Sequence, residues 1–299
     1  MTRRLSRAAT QLRTPSPQAA FAALAACSTL LLLGACAGPQ HASAPVKAAD
    51  VGELRPGTGI LKGYLPQAEL PDSLALLPAP PAAGSAALAE DMATFKALTT
   101  LQAGPRGKLA VLDADLAYPA SIGTFSCALG IPISESETPN LTMLLRRTLA
   151  DAGLATYKAK DKYQRTRPFV ALKAPSCTPA EEAKLAKDGS YPSGHSSLGW
   201  AWALVLSEVA PERADALLQR GRAFGQSRAI CGAHWQSDVD AGRLVGAATV
   251  AKMHSSPVFM AQLEAARAEW TATRARGAKP AGDCAAEAAV LATSSGIAP

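Results

Sequence analysis

Apolar residues recur at helical spacing along most of the chain, and no stretch alternates with the period of two that a half-buried strand needs. From Pro139 onward, Leu141, Leu144, Leu145, Thr148 and Leu149 form one stripe that stops at Gly153, a residue suited to ending a helix. Ser85 stands where a cap belongs, ahead of a helix that runs to about Leu101 with Leu88, Met92 and Phe95 as its apolar positions. The run from Ser196 to about Val209 is apolar nearly all round, as in a buried helix. Pro211 stops it and suits the first turn of the next helix, through Leu217, Leu218 and Phe224. Asp238 to His254 gives a further helix with Ala241, Leu244, Val245 and Ala248 inward, and Pro257 to Arg274 a last one. Between Lys158 and Ser190 prolines and charges break the period, which predicts loop with short helices. The fold class expected is all-α, a single-domain helical bundle.

The ends of the chain read differently. Four arginines (Arg3, Arg4, Arg7 and Arg13) precede an apolar run from Phe21 to Ala35, so residues 1–36 have the form of an export signal. The run is too short and too rich in small residues for a membrane span. Leu33-Gly34-Ala35-Cys36 resembles a lipoprotein box in which Cys36 would be lipidated, and Ala35-Cys36-Ala37 fits ordinary signal cleavage. Both readings stay open, and the first gives a reason for a cysteine at that place. Residues 37–64, rich in Ala, Gly and Pro, read as a tether, 65–276 as the folded domain and 277–299 as a tail that is mobile unless Cys284 pins it. The expected location is periplasmic or secreted, with attachment to the outer membrane if Cys36 carries lipid.

Charge changes the picture little. The net charge of +6 tempts one toward nucleic acid, yet removing the four signal arginines from 30 basic residues leaves 26 against 24 acidic ones. A body so close to neutral excludes a basic nucleic-acid surface. Of six cysteines, Cys27 and Cys36 belong to the signal. The remaining four, Cys127, Cys177, Cys231 and Cys284, suit two disulfides in an exported chain, with three pairings open. Cys231-x-x-His234 has the spacing of a zinc half-site but lacks a second close pair.

Three short blocks carry candidate chemistry: Lys160, six residues, Arg167-Pro168; Pro192-Ser193-Gly194-His195; and Ser227-Arg228, five residues, His234, three residues, Asp238. Three cations in one cleft (Lys160, Arg167 and Arg228) suit a phosphoryl group, whose equatorial oxygens carry the transition-state charge. Ser193 and Gly194 precede an apolar helix whose free N–H groups form an anion site. If the turn from His234 to Asp238 is helical, both fall on one face, and Asp238 holds one ring nitrogen while the other stays free as a nucleophile. His195 is then available as proton donor to the leaving oxygen. Each piece alone is weak, since most Lys and Arg are solvated and a lone His is more often structural. Two of the chain's four histidines fall inside these blocks; His41 lies in the tether and His254 at a helix end.

All eleven fixed positions of these blocks resemble the signature of the superfamily that joins phosphatidic-acid-type phosphatases, bacterial class A acid phosphatases and vanadium haloperoxidases. The octapeptide Gly189 to Ser196 is similar to that of the class A acid phosphatases, differing in Ser196 where threonine is usual. The segments Ser73 to Pro81, Asp151 to Gly153 and His234 to Asp240 also resemble that class, and the likeness covers roughly residues 65–270. The resemblance implies an all-α fold and a phosphohistidine at His234, oriented by Asp238. It implies proton transfer by His195, with the phosphoryl oxygens held by Lys160, Arg167, Ser193, Gly194 and Arg228. It implies no cofactor and no metal, phosphate monoesters as small-molecule substrates, some phosphotransfer, and a homo-oligomer of two or more copies. It also implies a Cys177–Cys231 disulfide, with Cys127–Cys284 as the remaining pair. The contrasting readings are a vanadium haloperoxidase on the same residues and a phosphate-binding lipoprotein without turnover. A serine hydrolase lacks a Gly-x-Ser-x-Gly elbow around Ser193 or Ser227, and a membrane lipid phosphatase lacks spanning helices.

Overall fold

The computed structural model describes residues 44–294. The expected export signal, with Cys27 and Cys36, and His41 lie outside the described residues. Among the described residues there is no strand, only an isolated bridge between Glu53 and Leu61. Nine helices there span seven residues or more: α1 Ala86–Thr99, α2 Pro105–Ala114, α3 Pro139–Leu154, α4 Tyr157–Tyr163, α5 Gly194–Val209, α6 Ala214–Ile230, α7 Gln236–Met253, α8 Pro257–Ala275 and α9 Cys284–Ser294. None of the described helices is long and apolar enough to cross a membrane. The fold is all-α, as the helical period predicted.

The centre is α5, which packs against α3, α6, α7 and α8. Its buried positions lie on every side, from Ser196 and Ser197 through Leu198, Trp202 and Leu206 to Val209, as the all-round apolar pattern requires. Trp202 is fully buried, donates its indole N–H to Leu145 O at 2.9 Å, and meets Phe125 and Phe224 edge-on. Helices α5 and α7 touch backbone to backbone. A Cβ at Gly242 would fall 2.4 Å from Ser193 O, and one at Gly246 2.3 Å from Ser197 O. Any larger residue there would push apart the two helix starts that carry the second and third blocks.

Three local expectations change. Helix α1 is capped by the Ser85 hydroxyl at 3.1 Å from Leu88 N, but it buries Asp91, Thr94 and Leu98, while Met92 is exposed. A buried polar contact at Asp91 fixes the inward face, which apolar spacing did not show. On α7, Leu244 is exposed, because the glycines at 242 and 246 mark the face that meets α5. The stretch after Gly277 forms α9, whose first residue, Cys284, is joined to Cys127. Closing a loop of 157 residues limits the unfolded chain by about 5 kcal/mol in the chain-entropy account. The second disulfide joins Cys177 to Cys231, so Cys231 has no thiolate to offer a zinc ion.

Within the stretch read as a tether, Leu61 and Tyr64 are buried. The Asp151 carboxylate accepts the N–H groups of Tyr64 at 2.7 Å and Leu65 at 3.4 Å, and Arg147 donates to Lys62 O and Gly63 O. Burial pushes the Asp151 carboxyl up to about 6, above its ordinary 3.8, against the pull of those N–H groups and Arg147. Stability from a raised carboxyl is fully present below its unfolded value and is lost as pH rises through about 6. The difference corresponds to about 3 kcal/mol. Asp151→Asn, which does not ionise, should be less stable than wild type at pH 4 and gain on it by pH 7. Thermal melts at both pH values check this, and a constant gap would reject it.

Candidate active site

The second and third blocks meet where α5 and α7 begin and α6 ends. Ser193 caps α5 by accepting Ser196 N–H at 3.2 Å, and its own N–H donates to Asp238 O at 2.9 Å. Ser196 Oγ donates to Val239 O at 2.6 Å, a second tie between the blocks. After α6 the chain folds back so that Arg228 O accepts both Ala233 N–H and His234 N–H. His234 therefore lies in a turn ahead of α7 rather than on it. Its closeness to Asp238 comes from a helix cap, not from a shared helical face. Asp238, in the first turn of α7, accepts Trp235 N–H at 2.8 Å and brings Oδ2 to 3.4 Å from His234 Nδ1.

The surroundings of His234 fix its tautomer. Nε2 lies 3.0 Å from Arg167 Nη1, and a guanidinium only donates, so Nε2 carries the lone pair. The proton then sits on Nδ1, facing Asp238 Oδ2 and Ser190 Oγ, the latter at 3.3 Å. Ser190 in turn donates a short hydrogen bond to Asp238 Oδ2. Burial, reinforced by Arg167, Lys160 and Arg228, holds His234 well below the ordinary imidazole range. The ring is thus neutral, oriented and basic at the nitrogen turned toward the cations.

Arg228 is fully buried, and its Nε, Nη1 and Nη2 have no hydrogen-bond partner among the described residues. Burial pushes its guanidinium down to about 10, even against the attraction of Glu181, to which it makes no hydrogen bond. Leaving such a group unmatched is costly, and an anion is what would match it. Lys160 and Arg167 have partners. Lys160 Nζ donates to Gly189 O and lies 3.4 Å from Asp188 Oδ2. Arg167 reaches the same Asp188 oxygen at 3.0 Å and also donates to Leu185 O and Ala233 O. Burial, with Arg167 beside it, pushes Lys160 down to about 8, which leaves it charged in acid. One partly exposed carboxylate therefore spans two of the three cations.

His195 donates Nε2–H to Ala114 O at 3.0 Å, since a carbonyl only accepts, and Nδ1 is left as its basic nitrogen. Its ring stacks on Phe224. Burial and the charge of Arg228 hold it well below the ordinary imidazole range. Gly194 opens α5, with its N–H among the free donors of that helix start. Both serines of the alternative hydrolase reading are engaged in structural hydrogen bonds. Ser193 caps a helix, and Ser227 Oγ donates to Asp113 Oδ2 and accepts from Arg106, within a buried network that Arg220 and Glu287 complete.

Spacing did not disclose several contacts. Arg165 Nη1 donates to Asp238 Oδ1 at 2.6 Å, and its Nη2 to Asp91 Oδ2 at 2.7 Å. Ser237 donates to Asp91 through N and Oγ. Ser190 sits inside the conspicuous octapeptide and Arg165 two places before Arg167, so position hinted at both. Nothing near Asp91 in the sequence pointed to the cleft.

The sequence is also similar to known proteins. The model of the PAP2 superfamily matches residues 141–259, which contain all three blocks. A non-specific acid phosphatase of Providencia stuartii is 49% identical over 208 residues, 69% of this chain and 84% of the relative. An acid phosphatase of Zymomonas mobilis is 39% identical, covering 70% of this chain and 79% of the relative. A non-specific acid phosphatase of Salmonella typhimurium is 45% identical, covering 64% and 78%. Likeness of that extent, on an all-α fold that brings the three signature blocks together, makes the chain a member of the class A nonspecific acid phosphatases within the PAP2 superfamily.

Proposed function

We propose that the protein is an acid phosphatase that hydrolyses a broad range of phosphate monoesters through a phosphohistidine at His234. One observation carries the reading: a wholly buried arginine with no hydrogen-bond partner among the described residues, Arg228, acts on a histidine whose Nε2 can only be a lone pair. In the first step His234 Nε2 forms a bond to phosphorus, the ester P–O bond breaks, and the leaving oxygen takes a proton from His195 Nδ1. In the second, water gives a proton to His195 and attacks phosphorus, the P–N bond breaks and inorganic phosphate leaves. Asp238 and Ser190 hold His234 Nδ1–H. Arg228, Lys160 and Arg167, with Ser193 and the Gly194 N–H, hold the phosphoryl oxygens. An alcohol in place of water gives phosphotransfer by the same step. These cations supply the charge stabilisation that a metal would otherwise provide, so neither metal nor cofactor is required. The form of residues 1–36 supports export, to the periplasm or beyond, with Cys36 as the site of a lipid anchor.

The pH dependence follows from the two histidines. His234 must be neutral, so activity falls when pH drops through its depressed value. His195 must be protonated, so activity falls when pH rises through its own. A phosphoryl dianion in the cleft raises both, and the product is a bell on the acid side. The test is hydrolysis of p-nitrophenyl phosphate from about pH 4 to 8 in excess EDTA. The expected result is an acid maximum that EDTA leaves intact. No hydrolysis across the range, or loss on chelation, would reject the reading.

A further inference from the structure

We propose that Arg165, clamped by Asp91 and Ser237, is a positioning residue that serves as the counter-ion of Asp238 in place of a protonated His234, so that the ring stays neutral and aimed. The proposal rests on the reading of His234 as the nucleophile. The Asp238 side chain is fully buried, and an ionised carboxylate in such a place requires a matched positive charge. His234 cannot supply it and keep a lone pair free on Nε2. Arg165 can, through its 2.6 Å contact with Asp238 Oδ1, on the side away from His234. That leaves Oδ2 for Trp235 N–H, Ser190 and the His234 ring.

The other end of Arg165 is as closely held. Its Nη2 meets Asp91 Oδ2 at 2.7 Å, its Nη1 also reaches Ser237 Oγ at 2.7 Å, and its guanidinium lies 5.4 Å from the centre of the Trp235 ring. The side chains of Arg165 and Asp91 are only 9% and 3% exposed, so water screens neither charge. Asp91 from α1 and Asp238 from α7 thus share one cation, and Asp91 limits how much of that charge Asp238 receives. The other groups that act on His234 come from every side. They are Lys160 from α4, Arg167 from the segment before Pro168, His195 from α5 and Arg228 from α6. Asp188 pairs with Lys160 and Arg167, the charge of Glu181 acts on Arg228, and that of Asp238 acts on the Tyr191 phenol. Among the described residues, Arg165 is the cation that bonds the Asp238 side chain without touching His234.

The test compares Arg165→Met, Arg165→Lys and Asp91→Asn with wild type, reading kcat and KM across the pH range, together with melting temperature. Without its counter-ion Asp238 holds a proton on His234. Arg165→Met should therefore lower kcat roughly 10- to 100-fold and move the acid limb up by about one pH unit. KM should stay within about 3-fold, because no group that binds phosphoryl oxygens is removed. Arg165→Lys keeps the charge and should return the limb toward wild type. Asp91→Asn frees Arg165 for Asp238 and should move the limb the opposite way, to lower pH. An Arg165→Met protein that melts like wild type and keeps the wild-type limb would overturn the proposal. If that variant does not fold, a limb undisplaced in Asp91→Asn overturns it instead. Wild type and His234→Ala run alongside: an active His234→Ala would reject the nucleophile itself and this proposal with it, whereas an unmoved limb rejects only the role of Arg165.

Discussion

Arg228→Met should give a protein that melts at a higher temperature than wild type and hardly turns over. The buried guanidinium has no hydrogen-bond partner, and its depressed pKa means that folding works against its charge even with Glu181 nearby. Replacing a buried, poorly matched charge by an apolar side chain of similar volume stabilises by about 1–4 kcal/mol. For a chain of this size that is several degrees, at about 2–4 °C per kcal/mol. In the proposed mechanism the same group holds a phosphoryl oxygen, and loss of one such donor costs roughly 100- to 1000-fold in rate. Melting with and without inorganic phosphate separates the two effects. Wild type should gain stability from phosphate and the variant little. A variant that melts lower and keeps its activity would show that Arg228 belongs to the scaffold and not to the site.

His234→Ala should lower kcat by at least about 10⁴-fold. Among the described residues no other imidazole takes its place: His195 gives Nε2 to Ala114 O, and His254 bonds Val250 O and Glu208. The substitution also strips Arg167 and Ser190 of a ring contact, so a far-UV spectrum must show the helices intact. The more telling readout is covalent. Quenching wild type during turnover of labelled substrate should leave label on the protein in an acid-labile, base-stable bond, as expected for nitrogen-bound phosphate. His234→Ala should carry none. Label on the variant, or on a serine of wild type, would move the nucleophile elsewhere.

Helices α3, α5, α7 and α8 were legible within a residue or two, because their periodicity is set by burial around α5. Pro139 to Leu154 and Pro257 to Ala275 are examples. What periodicity misjudged was the facing of α1 and α7. Asp91 turns inward on α1 because it bonds Arg165 and Ser237, and a carboxylate reads as surface in any one-dimensional pattern. Leu244 turns outward because two glycines, one on either side of it, set the approach to α5. Helix α9 was hidden because its placement depends on a disulfide to Cys127 and on Glu287 reaching Arg220. The blocks around His234 stood out because rare residue types cluster at short spacing. The residues that hold the cluster did not, since Asp91, Arg165 and Asp188 join it through contacts far apart in sequence.

Asp188 gives the site a property of an ion-exchange resin. Its carboxylate sits on Lys160 and Arg167, so in the proposed mechanism an arriving phosphoryl group would trade places with a tethered anion and would not enter bare positive charge. Part of the attraction for substrate is spent on that trade. The departing phosphate gets the same amount back, because the carboxylate, still attached a residue away from Gly189, is ready to reclaim both cations. Such a cleft should favour turnover over tight binding and resist clogging by its own product.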